Sequence, residues 1–349
     1  MKMLVEVKDL RKLFPLQSGV LERLSKIRRE NGKLTIAIDH VHAVDGISFG
    51  VKKGETLGLV GESGCGKSTT GRLIIRLLEP TSGKVLFKGQ DITTLSDKEL
   101  LPYRRKMQMI FQEPSRSLNP RDCVGEAIGE PLMVNGIISN RKKRRERVEE
   151  LMAMVGLDPK MYSRFPHKFS GGEKQRIMMA RVLSLNPEFI VMDEPTASLD
   201  VSLQAQTLKI FKDLQKQHDL TYLFISHNLA TVKYFCDRIA VMYLGKIAEI
   251  GDADKVYQNP VHPYTKALLS ALPVAKPGTK RNVIELKGSV ANPVNPGPGC
   301  RFVNRCPFEG VTEICRNLTP ELEQLETGHD VACHFLENDL RIEMPTIRL

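Results

Sequence analysis

Apolar and polar positions along the chain follow three successive patterns. In the first they alternate: Leu4 to Leu10 reads as an edge strand, and V-H-A-V-D-G-I-S-F-G-V restores that period after a polar insertion between about Gln17 and Leu34. The insertion suits a short surface helix or a mobile loop. A turn at Lys53-Gly54 leads into the apolar run Leu57 to Val60, which predicts a buried strand, and T-G-R-L-I-I-R-L-L just beyond has the spacing of a helix packed on a sheet. G-K-V-L-F-K-G-Q-D-I predicts antiparallel strands at the side of the main sheet, and K-M-Q-M-I-F-Q a short strand ending on Gln112.

In the second pattern, from Glu113 to about Phe169, turn-rich E-P-S-R-S-L-N-P-R gives way to V-G-E-A-I-G-E-P-L and R-E-R-V-E-E-L-M-A-M-V-G-L, both helical. This predicts a helical subdomain, residues 113–169, inserted into a sheet domain. Sheet pattern then resumes in F-I-V-M-D-E-P-T, T-Y-L-F-I-S-H, R-I-A-V-M-Y and K-I-A-E-I-G, with a long helix from Leu203 to Gln217 and a close near Gly251. The third pattern is a tail, residues 252–349, with a Pro/Gly-rich linker reaching Gly299 and little periodicity after it. The expected fold class is α/β, a phosphate-loop core with an antiparallel β subdomain, a helical insert and a small cysteine-rich extension.

Composition changes this picture little. With 349 residues, 41% of them hydrophobic, the chain can bury a full α/β core and make about two domains. No apolar run approaches the roughly 18 residues that span a bilayer, and M-K-M-L-V-E-V-K-D-L alternates instead of forming a secretion signal's apolar block, so a cytoplasmic chain is expected. A net charge of +10 fits an anionic lipid surface or an acidic ligand as well as nucleic acid. The run Arg141 to Arg147 reads as a solvated helix face, with anionic lipid as the second choice.

Chemistry concentrates in Gly61 to Thr69, G-E-S-G-C-G-K-S-T, between a strand and a helix. Gly61, Gly64 and Gly66 let successive backbone N–H groups turn toward one anion, and the helix beginning beside Lys67 adds the positive end of its dipole. Ser63, Cys65 and Thr69 belong to the same cradle. Lys67 would reach the β- and γ-phosphates and Ser68 would hold Mg²⁺. F-S-G-G-E offers Ser170, Gly171 and Gly172 either as a plain helix cap or as a second anion site. Four apolar residues deliver Asp193 and Glu194 to the end of a buried strand, the first able to hold Mg²⁺ through its water shell, the second free to activate water. Asp200 falls at a turn, and His227 ends a strand on the edge where open sheets bind ligands.

Seven cysteines are present, and Cys300, Cys306, Cys315 and Cys333 crowd into the tail. In a reducing cytosol that argues for a metal or cluster over disulfides. Four thiolates suit Zn²⁺ or an iron–sulfur cluster, with free thiols as the remaining alternative; gaps of five, eight and seventeen residues lack tight C-x-x-C knuckles and favour the cluster.

The ordered set G-E-S-G-C-G-K-S-T, Gln112, F-S-G-G-E, F-I-V-M-D-E, S-L-D and His227 resembles the nucleotide-binding subunit of an ABC transporter, over about residues 3 to 251. The resemblance implies that Phe14 stacks on adenine, Lys67 and Ser68 handle phosphate and Mg²⁺, and Gln112 links the metal to the helical subdomain. It implies too that Asp193 supports Mg²⁺, Glu194 is the catalytic base, and His227 contacts the γ-phosphate of ATP. Ser170, Gly171 and Gly172 would act on ATP held by a partner subunit. The family's usual glutamine after S-G-G is here Glu173.

The tail, N-P-V-H-P-Y-T-K-A-L-L-S-A-L-P followed by C-R-F-V-N-R-C-P-F-E-G-V-T-E-I-C and V-A-C-H-F, resembles the extension of the ATPase subunits of oligopeptide, dipeptide and nickel importers. There the resemblance implies a 4Fe-4S cluster on the four cysteines. Within that family, E-P-S-R-S-L-N-P-R after Gln112 resembles the subunit that pairs with a second, non-identical ATPase. The resemblance implies two transmembrane permease subunits, an extracytoplasmic substrate-binding protein and a peripheral position on the cytoplasmic face of the membrane. Di- or oligopeptides are the expected cargo, with oligosaccharide or nickel as alternatives. A soluble ABC-type ATPase acting on nucleic acid is the competing class; one cassette and no long coiled-coil insert speak against it, so no nucleic-acid partner is expected.

Overall fold

The structure is a computed structural model that describes residues 2–16, 38–113, 117–272, 283–286, 288, 292–308 and 310–335, with backbone alone at 27–30 and 33–36. Its main sheet is organised around β5 (Thr56–Val60), whose five residues are all buried. An unbroken apolar run of this kind forms a strand covered on both faces, and each large side chain so buried contributes about 1.5–3 kcal/mol.

Strands β8 (Met107–Ile110), β9 (Phe189–Asp193), β10 (Thr221–Ser226) and β11 (Arg238–Tyr243) run parallel to it, in the order β8-β9-β10-β5-β11. β12 (Lys246–Asp252) continues antiparallel from β11, and the tail then supplies β14 (His329–Val331) and β13 (Glu323–Glu326) at the same edge. Among the described residues the sheet therefore has eight strands, two of them from the tail.

A second, antiparallel sheet carries β1 (Met3–Pro15), β4 (His40–Lys52), β6 (Ser82–Phe87) and β7 (Gln90–Asp91) in the order β4-β1-β6-β7. β1 thus lies inside this sheet, where its alternation alone had suggested an edge. Alternation reports one buried face; it does not report how many neighbours a strand has. Much of the polar insertion lies outside the described residues. Its described backbone, β2 (Ile27–Glu30) paired with β3 (Lys33–Ile36), is a hairpin where a helix or loop was expected.

One apolar core fills the space between the two sheets, with Leu10, Val44, Leu57, Leu73 and Val191 among its members. The other joins the main sheet to the helices. The helices are α1 (Lys67–Ile74), α2 (Asp97–Lys106), α3 (Val124–Val134), α4 (Arg141–Met154), α5 (Gly171–Leu183), α6 (Val201–His218), α7 (Leu229–Phe235), α8 (Ala253–Gln258), α9 (Pro263–Ser270) and α10 (Glu313–Asn317). Those between Gln112 and β9 pack on one another: Val148, Leu151 and Met152 of α4 meet Ile128 and Leu132 of α3 and Ile177 and Met178 of α5 in the same core. No helix among the described residues is long and apolar enough to cross a membrane.

Candidate nucleotide site

Four neighbouring parallel strands end on the same side of the sheet, and each hands one functional segment to that edge. β5 runs into Gly61, β8 into Phe111 and Gln112, β9 into Glu194, and β10 into His227. One cavity there is lined by Ser63, Gly64, Gly66, Lys67, Ser68 and Thr69 from the loop, with Gln112, Glu194 and His227 facing them. An adjoining one includes Ser68, Arg72, Gln112 and Asp193.

Two of the loop glycines are required by geometry. Gly61 has φ 151° and a Cβ there would lie 2.1 Å from the Met242 carbonyl oxygen; Gly66 has φ 108° and its Cβ would lie 2.1 Å from that of Ala43. Only a residue without a Cβ lets the loop press this closely on its surroundings. Lys67 is buried and donates to the carbonyls of Gly61 and Glu62, both at 2.8 Å. Cys65 is buried beside it, and burial raises its thiol despite the nearby ammonium.

Ser68 Oγ donates to Asp193 Oδ1 at 2.7 Å. Burial raises the Asp193 carboxyl above its usual range and Glu194 adds to this, while Ser68, Arg72 and Lys67 pull the other way. A hydroxyl and a half-desolvated carboxylate held together are oxygen donors suited to a small divalent cation such as Mg²⁺.

Glu194 sits where β9 ends, with φ 47°, a left-handed conformation that costs an L residue about 1–2 kcal/mol. Its N–H donates to Ile225 O at 2.9 Å, which fixes the bend. Its carboxylate accepts from Gln112 Nε2 at 3.0 Å and stands 3.1 Å from His227 Nδ1. A glutamine, a carboxylate and an imidazole thus form a hydrogen-bonded row facing the cradle.

Other expected residues stand apart. Phe14 lies on β1 opposite Val41, which lines the cavity, and Lys12 Nζ sits 5.1 Å from its ring centroid; Phe14 itself does not line it. Ser170, Gly171, Gly172 and Asp200 do not line it either. Ser170 caps α5, and Glu173 closes a capping box: its carboxylate accepts from Ser170 N and Oγ, each at 2.8 Å. These contacts hold Glu173 below the usual carboxylate range. Asp200 caps α6, accepting from Leu203 N at 3.0 Å.

The four tail cysteines share one lobe. Cys300 N donates to Cys315 O at 2.8 Å, and burial pushes the Cys300 thiol up to about 11, with the charges of the other three adding. Among the described residues, however, no three His, Cys, Asp or Glu side chains converge as a metal site. The expected cluster on Cys300, Cys306, Cys315 and Cys333 is therefore not a formed ligand set. All four cysteines are free, and burial raises the thiols of Cys300, Cys306 and Cys333.

Sequence reasoning missed the tail's part in this site. Pro293 lines the nucleotide cavity, and its carbonyl accepts from His42 N at 2.9 Å. No spacing in the sequence announces that contact.

The fold and loop define an α/β nucleotide-binding protein of the phosphate-loop class. The ABC transporter family profile matches residues 44–197, and that of the oligopeptide/dipeptide transporter C-terminal region matches 248–315. The chain is 48% identical over 335 residues to the oligopeptide transport ATP-binding protein AppF of Bacillus subtilis, covering 95% of this chain and 97% of that one. It is 49% identical to the di/tripeptide transport ATP-binding protein DppF of Pseudomonas aeruginosa, over 86% and 92% of the two chains. The ATP-binding cassette MJ0796, solved as a dimer with ADP and phosphate after hydrolysis, superposes with a TM-score of 0.59 at 26% identity, over 71% of this chain and 98% of the other. The chain belongs to the ABC transporter ATPases, in their oligopeptide/dipeptide group.

Proposed function

We propose that the chain is the ATP-hydrolysing subunit of an importer of di- and oligopeptides. The observation that carries this is the row Gln112–Glu194–His227 held at 3.0 and 3.1 Å across from the Lys67 and Ser68 cradle. Lys67 leaves its two carbonyl partners for the β- and γ-phosphates of ATP. Glu194 is the general base, held in place by Gln112 and His227, and His227 reaches the γ-phosphate. Ser68, Gln112 and Asp193 would hold Mg²⁺, which would supply charge neutralisation at the phosphates; the donor chemistry of Ser68 and Asp193 fits it.

Phe14 serves the adenine ring from beside Val41. Ser170, Gly171 and Gly172, with Asp200 beyond them, serve the ATP of a partner ATPase, in keeping with their absence from the lining of this chain's own cavity. That partner is a second, homologous subunit. Two permeases and an extracytoplasmic binding protein complete the assembly, and the chain sits peripherally on the cytoplasmic face of the membrane. The working units are an ATP-binding domain, 1–251, with its helical subdomain at 113–169, and an extension, 252–349. Four thiols in one lobe fit a 4Fe-4S cluster in number and chemistry. About four irons per chain with matching acid-labile sulfide after anaerobic purification support that assignment; zinc, or no metal, rejects it.

The test of the main reading is uptake. Purified complex in proteoliposomes should accumulate labelled di- or oligopeptide only with ATP on the side of this subunit. Peptide-independent uptake of nickel or oligosaccharide by the same complex would reassign the cargo, and absence of ATP hydrolysis would reject the motor.

A further inference from the structure

The tail touches the phosphate loop at one residue from two directions. Glu62, the second residue of the loop, donates its N–H to Tyr264 Oη at 2.9 Å, and its carboxylate is gripped by both terminal nitrogens of Arg305, at 2.7 and 3.1 Å. The same residue's carbonyl receives Lys67 Nζ. Tyr264 belongs to α9 and Arg305 to a short turn, Val303–Arg305, so the two contacts come from chain 202 and 243 residues away from Glu62. Between them the rings of Tyr243, Tyr264 and Phe302 pack at centroid distances of 4.6 to 5.4 Å.

This is a built contact. Tyr264 and Phe302 are fully buried, the Arg305 side chain is 9% exposed, and its guanidinium lies over the Tyr243 ring at 5.9 Å. A two-pronged guanidinium–carboxylate pair in such surroundings fixes direction as well as distance. Glu62 makes no use of its side chain elsewhere in the proposed chemistry, so its carboxylate serves to hold the loop. At the nucleotide cavity itself, lined by Val41 and Pro293, the tail backbone docks on β4: His42 N donates to Pro293 O at 2.9 Å, Asn295 N to His40 O at 3.0 Å, and Val41 forms a bridge with Val294.

We propose that Arg305 is a positioning residue for ATP binding: through Glu62 it sets the backbone of the phosphate loop, so that the docked tail, and not the ATP-binding domain alone, determines nucleotide affinity. This rests on the assignment of the cavity to ATP. Loop amides must already point at the phosphates for tight binding, and a loop released from Arg305 must order itself when ATP arrives. The cost falls on binding. The hydrolytic row at Glu194 lies on other strands and keeps its geometry.

The test uses the full-length chain with a fluorescent ATP analogue, and the assembled transporter for turnover. Arg305→Ala and Glu62→Gln should each weaken nucleotide binding about 5- to 10-fold, within the range measured for coupled neighbours. KM for ATP should rise in step while kcat stays within about twofold. The double variant should be no weaker than either single one, and Arg305→Lys should recover part of the loss. Unchanged affinity in both single variants, or additive losses in the double, would overturn the proposal. Should Arg305→Ala fail to fold, Glu62→Gln and Arg305→Lys carry the same comparison. Wild-type protein that binds no nucleotide would reject the cavity assignment itself, a result distinct from wild type that binds and variants that bind equally well.

Discussion

The ATP-binding core and the tail both reach the nucleotide cavity, but they do so by different physics. The core delivers its side chains from strand ends: β5, β8, β9 and β10 lie in parallel register, so four short apolar runs fix where Lys67, Gln112, Glu194 and His227 stand. The tail docks backbone on β4 and β12, but its hold on the phosphate loop itself is made by side chains, Tyr264 and Arg305 on Glu62, with Arg301 on Asp45 nearby. Position set by a sheet is shared among many backbone hydrogen bonds and survives the loss of one. Position set by a handful of side chains can be lost one contact at a time, which makes the tail the part open to adjustment.

The largest effect that separates the two regions is expected at Glu194. Glu194→Gln keeps the hydrogen-bonding shape and removes the base, so phosphate release should fall by about 10²–10⁴-fold with nucleotide binding and thermal stability unchanged. Turnover near wild type would remove Glu194 from its role, and a drop in melting temperature would show that the sheet edge is less independent than the contrast holds.

Acid should strike the tail first. Burial pushes His262 down to about 4, with Glu249 pulling the other way, and His329 lies on that same carboxylate at 2.7 Å. An unfolded histidine titrates near 6.5, so the unfolded chain binds the extra proton between the two values and stability falls as pH drops through that window, by up to roughly 1.4 kcal/mol per unit. Above it His262 contributes no pH dependence. Denaturant midpoints measured from pH 7 to pH 4 should show this slope, and His262→Asn should flatten it; an unaltered slope in the variant would assign the acid sensitivity elsewhere.

The smallest effect is expected from Tyr264→Phe, which keeps the ring packing and leaves the Glu62 N–H without its acceptor. A partly buried donor so stranded costs up to about 1–3 kcal/mol. Calorimetry should register that loss, and nucleotide affinity should weaken alongside it. A stability loss with affinity intact would separate the tail's packing from its hold on the loop.

How much of this could be read in the sequence follows the same division. Buried runs such as T-L-G-L-V and F-I-V-M-D announce their strands because both faces must be apolar, and G-E-S-G-C-G-K-S-T announces its loop because the backbone needs glycine where Gly61 and Gly66 stand. Helix α2 carried a usable signal that periodicity did not bring out: Ser96 and Glu99 form a capping box, with Glu99 Oε2 accepting from Ser96 N at 2.9 Å. In β13 all four residues are exposed, so no alternation marks it. Arg305 and Glu62 are joined across 243 residues by charge alone, and nothing local to either residue names the other.

One consequence follows from β14, which pairs with Glu249, Ile250 and Gly251 of β12. A chain cut just after Gly251 would keep every phosphate-binding motif and yet present that flank of the sheet with its row of amide and carbonyl groups bare, an invitation to stack against a second molecule. The shortest stretch that looks sufficient to bind ATP is thus one that should clump, and expression of this protein for study is better served by keeping its far end attached.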